Sequence, residues 1–326
     1  MVKRMVAALL SAAITGVAMM GQQVSFASMV AGQRKVLDAL TLKHASHSIV
    51  YDARDFGLPV PDSLRLTTSD GVHVFGYELC PKKPRAVVIC LSGIENPSVT
   101  AYYGHAKAFW KKGVATIMPD LRGHGKSDGN RLCLAYKEAA DVKAVTDYVK
   151  AQPRYRGVPV IVMGVSMGGS VAIRSIAGND DIDALVSLSA FSSLEDFLEV
   201  NREAFMPFIP ADSLARVTSA NVRDIFGVDA STSSPLYDAR GLRNRPALLM
   251  HSRGDTQVPY VCYERLLAEM KKYSDNIDTL VVDGDEHFIC RDFTHPEMDK
   301  DYMHVLMRFV RNVISLRGSA VRQRRG

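Results

Sequence analysis

The chain lacks most of the features that assign a protein quickly. It has five cysteines in 326 residues, Cys80, Cys90, Cys133, Cys262 and Cys290. An odd number at irregular spacing is not a disulfide framework, and with no Cys-x-x-Cys pair there is no zinc signature. No apolar run reaches the ~20 residues of a bilayer-spanning helix; Met5 to Met20 has 16. No period of 20–50 residues repeats. Neither a G-x-G-x-x-G after a first strand nor a G-x-x-x-x-G-K-[ST] loop occurs, so no nucleotide cofactor is expected, and no metal. An excess of one charge is also missing from the body of the chain. The net charge is +5, and Lys3, Arg4, Arg317, Arg322, Arg324 and Arg325 supply six positive charges at the two ends. A body this balanced argues against a nucleic-acid partner.

What is present is an ordinary globular composition, 47% hydrophobic and 23% charged, long enough to bury a sizeable core. Residues 1–27 read as a signal peptide. Lys3 and Arg4 precede the apolar run, and Ser25-Phe26-Ala27 fits a small-x-small cleavage site. The expected location is therefore exported (periplasmic, secreted or envelope-associated), with no stable membrane span after cleavage. Residues 28–60 form an N-terminal extension with a helical stretch from Val30 to Leu42.

From there short apolar runs alternate with helical patterns. Leu64–Thr68 and Val72–Leu79 flank Asp70-Gly71 and predict a hairpin. Strands are expected at Ala86–Leu91, Val114–Met118, Val158–Met163, Ala184–Leu188, Ala247–His251 and Thr279–Val282. Helices are expected at about Ala101–Lys112, Lys137–Ala151, from Ser166, at Tyr260–Tyr273 and at Asp299–Leu316. The fold class is α/β, a mostly parallel sheet with helices on both faces. Residues 61–190 and 245–316 make the core, and 191–244 a helical cap insertion with exposed-looking aromatics. Residues 317–326 are a basic tail, read as a solvated end rather than a lipid contact.

Gly164-Val165-Ser166-Met167-Gly168-Gly169 follows a strand and opens a helix. G-x-S-x-G alone is a weak signal, but on a strand-to-helix turn the glycines remove Cβ clashes and lift the serine hydroxyl clear of the sheet. A serine needs a base, which His287 supplies from Asp283-Gly284-Asp285-Glu286-His287 after the last strand. The base needs a carboxylate, and Asp255 follows the strand ALLMHS. Asp283, Asp285 and Glu286 share the histidine's own loop and cannot easily reach its ring. Met167 N–H at the helix start and Ile94 N–H, after Ser92-Gly93, are the expected oxyanion donors. Pro119-Asp120-Leu121-Arg122-Gly123-His124-Gly125-Lys126-Ser127 reads as a structural turn shaping the cleft, and His124 as structural.

Together these residues resemble the α/β-hydrolase superfamily over roughly residues 62–316. Within it the chain looks most like the branch of serine aminopeptidases, monoglyceride lipases and small bacterial carboxylesterases. GVSMGG, PDLRGHGKSDG, RPALLMHSRGDTQVP and GDEHF carry the resemblance. It implies an eight-stranded sheet with an antiparallel second strand and a cap after the sixth. It assigns Ser166 as nucleophile, Asp255 as acid, His287 as base, and Ile94 and Met167 as the oxyanion hole. Members commonly carry His-Gly where this chain has Ser92-Gly93.

The expected activity is a serine hydrolase cleaving carboxylic esters, with Phe191, Phe197, Phe205 and Phe208 lining an acyl pocket. The alternative is an aminopeptidase-like serine peptidase, whose substrate ammonium Glu195, Glu199 or Glu203 on a cap helix would hold. The partner is a small-molecule ester or short peptide. The sequence carries no sign of oligomeric state. A non-catalytic scaffold would be expected to have lost a member of the triad, and all three are here.

Overall fold

The computed structural model describes residues 24–42, 50–94 and 98–323. Residues 1–23 of the signal segment, and Glu95 beside the expected oxyanion loop, lie outside the described residues.

Among the described residues the first elements are helix α1 (Phe26–Thr41) and the hairpin β1 (Asp62–Thr67) and β2 (His73–Leu79). Next come β3 (Ala86–Leu91), α2 (Tyr103–Trp110), β4 (Val114–Pro119) and α3 (Ala139–Ala151). The centre is β5 (Val160–Val165), α4 (Met167–Ile176) and β6 (Ala184–Leu188). The cap holds α5 (Leu194–Val200), α6 (Arg202–Phe205), α7 (Ala211–Phe226) and α8 (Pro235–Asp238). The chain then returns through β7 (Ala247–Ser252), α9 (Tyr260–Met270), β8 (Ile277–Val282) and α10 (Lys300–Gln323).

The eight strands form one sheet in the order β1-β2-β4-β3-β5-β6-β7-β8. β2 is antiparallel to both neighbours and every other pairing is parallel. β-Branched runs such as AVVICL and VIVMGV are buried along their whole length, as a parallel strand covered on both faces must be. Their side chains alternate between two apolar layers. Val87, Ile89 and Leu91 join the layer under α3, α4, α9 and the cap. Ala86, Val88 and Cys90 join the layer under α2 and α10.

The sheet order turns at β3. β4 lies on one side of it and β5 on the other, so the carboxyl ends of β3 and β5 flank the crevice where open α/β sheets bind ligands. The loops carrying Ile94, Ser166, Asp255 and His287 all leave carboxyl ends of parallel strands.

The N-terminal extension is bound to the body. Helix α1 starts at Phe26, inside the expected cleavage triplet, with Ser25 as its cap. It lies along α7 through buried polar contacts. Gln33 Nε2 donates to Thr218 Oγ1 at 2.9 Å, and Asn221 Nδ2 donates to Gln33 Oε1 at 2.9 Å and to Val30 O at 3.1 Å. Arg34 pairs with Asp224. At its other end Asp38 and Thr41 accept from Arg131 Nη1 at 2.6 and 2.9 Å. The helix thus straps the cap to the loop after β4. The last helix also passes the expected end at Leu316, and Arg317 pairs with Asp183 at 3.0 Å.

The cap departs from expectation in two ways. Its first helical stretch breaks at Asn201 into α5 and α6. Its aromatics are not exposed: Phe191 is buried, and Phe197, Phe205 and Phe208 pack against the same apolar layer.

Candidate active site

The turn from β5 to α4 sets Ser166 at φ 57° and ψ −125°. That conformation costs a non-glycine residue about 1–3 kcal/mol and persists only where the surroundings impose it. Here Ser166 N–H donates to Leu188 O at 2.8 Å and Ser166 O accepts from Ser170 N–H at 3.1 Å. The two glycines admit close backbone packing. A Cβ on Gly164 would fall 2.7 Å from Gly169 N, and one on Gly168 would fall 2.6 Å from Ser92 O and nearer still to Leu91 O. The start of α4 therefore rests on the loop that leaves β3. This brings Met167, the first helical residue, beside the segment holding Ile94.

Asp255 and His287 meet across the ends of β7 and β8. Asp255 Oδ2 lies 2.7 Å from His287 Nδ1, with both side chains almost wholly buried. A carboxylate accepts, so Nδ1 carries the proton and Nε2 is left as the basic nitrogen. The two loops are stitched together: Gly254 N–H donates to Gly284 O at 2.7 Å and Ser252 Oγ to Glu286 O at 2.7 Å. Asp283 points away to solvent and pairs with Arg253 at 3.1 Å. Burial acts most strongly on Asp255 and opposes its charge. The His287 contact, with the N–H groups of Gln257 and Val258 at 2.8 and 3.0 Å, outweighs that burial. The carboxyl is held below its ordinary range, so it stays ionised.

No hydrogen bond joins the Ser166 hydroxyl to His287 among the described residues, and the Asp255–His287 half alone is closed. Contacts to a nucleophile are often long until substrate binds.

One supporting residue was not anticipated. His251, buried at the end of β7, has Nε2 3.0 Å from Val258 O and 3.7 Å from Asp255 Oδ2. It anchors the residue whose N–H holds the Asp255 carboxylate. Burial lowers its pKa, which favours the neutral ring that donates to a carbonyl. A histidine inside the apolar run ALLMHS was the available signal. Ser92 is buried, and its Oγ has no hydrogen-bond partner among the described residues.

The expected ammonium anchors do not converge. Glu199 and Glu203 face Arg202 at 3.5 and 3.6 Å, and Glu203 is 89% exposed. Glu195 alone is held close to the apolar layer, and burial raises its pKa.

An eight-stranded sheet with one reversed strand, a strained serine elbow and a buried Asp–His pair at neighbouring strand ends define an α/β-hydrolase. The chain belongs to the serine aminopeptidase S33 family, whose model matches residues 82–256. That span includes Ser166 and Asp255 and ends before His287. The chain is 28% identical to human monoglyceride lipase over 196 residues, 57% of this chain and 64% of that protein. It is 25% identical to the uncharacterised Bacillus subtilis protein YqkD over 199 residues, 60% of this chain and 64% of that one. The matches span just under two thirds of these relatives. Among solved structures, a Pyrococcus furiosus esterase superposes with a TM-score of 0.64 at 21% identity, covering 81% of this chain and 96% of that one. This last likeness concerns the fold.

Proposed function

We propose that the protein is an exported serine hydrolase that cleaves carboxylic esters through an acyl-enzyme. Ser166 Oγ attacks the ester carbonyl while His287 Nε2 takes its proton. The imidazolium that forms is stabilised by Asp255. Ile94 and Met167 N–H receive the oxyanion, and His287 returns the proton to the departing alcohol. Water then repeats the sequence on the acyl-enzyme, freeing the acid and Ser166.

The observation that carries this reading is the 2.7 Å contact between Asp255 Oδ2 and His287 Nδ1, buried at the same sheet edge as the strained Ser166. The ester reading is favoured over the peptidase reading by the state of the three glutamates. An aminopeptidase needs a desolvated, ionised acid for the substrate ammonium. Glu199 and Glu203 are engaged by Arg202 at the surface, and burial works against the charge of Glu195. Phe191 and Phe197, with ring centroids 6.0 Å apart, pack in the apolar layer beneath the cap. Export rests on Lys3, Arg4 and the apolar run from Met5 to Met20.

The test uses p-nitrophenyl esters of increasing chain length alongside aminoacyl-naphthylamides. Ester turnover, with fluorophosphonate labelling of wild type and none of Ser166→Ala, is the expected result. Faster naphthylamide cleavage would move the assignment to the peptidase. Fractionation of a tagged chain checks export, and full retention in the cytosol would overturn it.

A further inference from the structure

We infer that His124 is a positioning residue for the oxyanion hole, acting through the peptide that joins Gly93 to Ile94. The inference rests on the reading above, in which Ile94 N–H is one of the two oxyanion donors. The loop Pro119–Ser127 has no part in that reading, yet the structure ties it to the hole.

Gly93 C=O and Ile94 N–H are the two ends of one planar trans peptide, so their bonds point in opposite directions. Fixing the direction of the carbonyl fixes the direction of the N–H. His124 Nε2 lies 3.3 Å from Gly93 O. A carbonyl oxygen only accepts, so Nε2 carries the hydrogen and donates. Donation to the carbonyl also polarises the amide, which makes Ile94 N–H a stronger donor toward developing negative charge.

The loop that presents His124 is rigid, as such a role requires. His124 N–H donates to Leu121 O at 2.8 Å, and Ser127 N–H to His124 O at 3.0 Å. Asp120 Oδ2 accepts from Lys126 N–H at 3.0 Å. Arg122 is buried between Asp70 and Asp141, at 2.6 and 2.8 Å. The glycines on either side of His124 are required by position. Gly123 has φ 74° and Gly125 φ 39°. A Cβ on Gly123 would lie 2.9 Å from Leu132 N, and one on Gly125 would lie 2.7 Å from Asp120 Oδ1. Gly-His-Gly is thus a tight turn that aims one ring at one peptide. On the β3 side of the same peptide, Ser92 Oγ makes no hydrogen bond among the described residues. Support for the hole comes across from the loop after β4.

The test compares His124→Leu, His124→Asn and His124→Gln with wild type, with active sites counted by fluorophosphonate titration. Leu has no donor, Asn is too short to reach Gly93 O, and Gln places an N–H near the position of Nε2. For Leu and Asn, kcat per titrated site should fall about tenfold to a hundredfold with KM within about twofold. That is part of the 10²–10³ effect of removing a whole oxyanion donor. Affinity for a trifluoromethyl ketone, which places an oxyanion in the hole, should weaken in parallel, and Gln should restore most of both. A merely structural histidine would lower the titrated fraction or the melting temperature and leave kcat per site unchanged, which overturns the inference. So does a fall in kcat without weaker ketone binding. If wild type itself is not titrated, the serine hydrolase reading fails and takes this inference with it. Titrated wild type with silent His124 variants sinks the inference alone.

Discussion

Gly168→Ala sets two effects of opposite sign against each other. Gly168 lies inside α4, where helix propensity alone favours alanine by about 1 kcal/mol. The space around it argues the reverse. The new Cβ would stand 2.6 Å from Ser92 O, whereas ordinary carbon–oxygen contacts lie at about 3.3–3.6 Å. The obstacle is backbone on both sides, so no rotamer relieves it. The Ser92 O contact alone requires the start of α4 and the loop after β3 to separate by about 0.7–1 Å, and Leu91 O, nearer still, requires more. Overpacking of this kind costs about 1–3 kcal/mol, so the clash wins and the variant is less stable than wild type. The functional effect is larger. Oxyanion donors act within about 2.7–3.1 Å of the oxygen, a window narrower than the displacement. Met167 N–H moves relative to Ile94 N–H, and kcat should fall about 10²–10³-fold. Urea denaturation and p-nitrophenyl ester turnover measure the two effects. Gly157→Ala is the control: its φ is 80° with nothing within 4 Å of the added carbon. It should cost about 1–2 kcal/mol of backbone strain with no change in kcat. A Gly168→Ala enzyme as stable as wild type, with wild-type kcat, would refute the reasoning.

Asp255→Asn places an amide where His287 Nδ1 now donates, favouring the wrong tautomer; kcat should fall about 10³–10⁴-fold with little change in KM, and a loss under tenfold counts against the assigned role. Gln33→Ala leaves Thr218 and Asn221 without their buried partner, at about 1–3 kcal/mol. Amide exchange in α7 should accelerate about tenfold to a hundredfold, and unchanged protection there would mean that α1 does not strap the cap. His105 is fully buried, with Nε2 2.8 Å from Tyr302 Oη, and burial pushes its pKa down to about 3. The unfolded chain binds this proton at about pH 6.5, so its contribution is complete above that pH and is lost as pH falls toward 3. Glu138, pushed up to about 7 by burial, works the other way: its contribution is complete below about pH 4.5 and is lost as pH rises through 7. Comparing wild type with His105→Phe isolates the histidine. Between pH 6 and 4 the wild type should lose up to about 1.4 kcal/mol more per pH unit, and equal slopes in denaturant titrations would refute this.

The sheet was legible because its strands announce themselves. AVVICL, VATIM and ALVSL are short, mostly apolar runs between turn residues, and each became a strand within a residue or so of its expected ends. Helix ends were harder, since they depend on contacts between distant segments. Residues 24–29 carry no strong helix signal of their own, yet α1 begins at Phe26, capped by Ser25 and packed over Arg216. Glu195, Glu199 and Glu203 keep a four-residue spacing that suggests one helix. The helix stops at Asn201, whose amide turns back to donate to Phe197 O at 2.9 Å.

The site divides the same way. Ser166, Asp255 and His287 could be picked out as candidates because each chemistry demands a residue type at a strand end, and the strands were visible. His251 escaped, and His124 was read only as structural in a turn shaping the cleft, because each side chain bonds the backbone. One holds Val258 O, whose residue's N–H holds a carboxylate; the other holds Gly93 O, whose peptide carries the proposed donor. A side chain that bonds a carbonyl leaves no mark on the identity of the residue it bonds, so no pairing of residue types along the chain could have revealed either. What did mark them was misfit. His251 interrupts an apolar strand, and His124 sits between two glycines held at positive φ. Each is a polar ring whose partner is a backbone carbonyl: Val258 O in the loop that follows the histidine's own strand, and Gly93 O in the loop across the crevice.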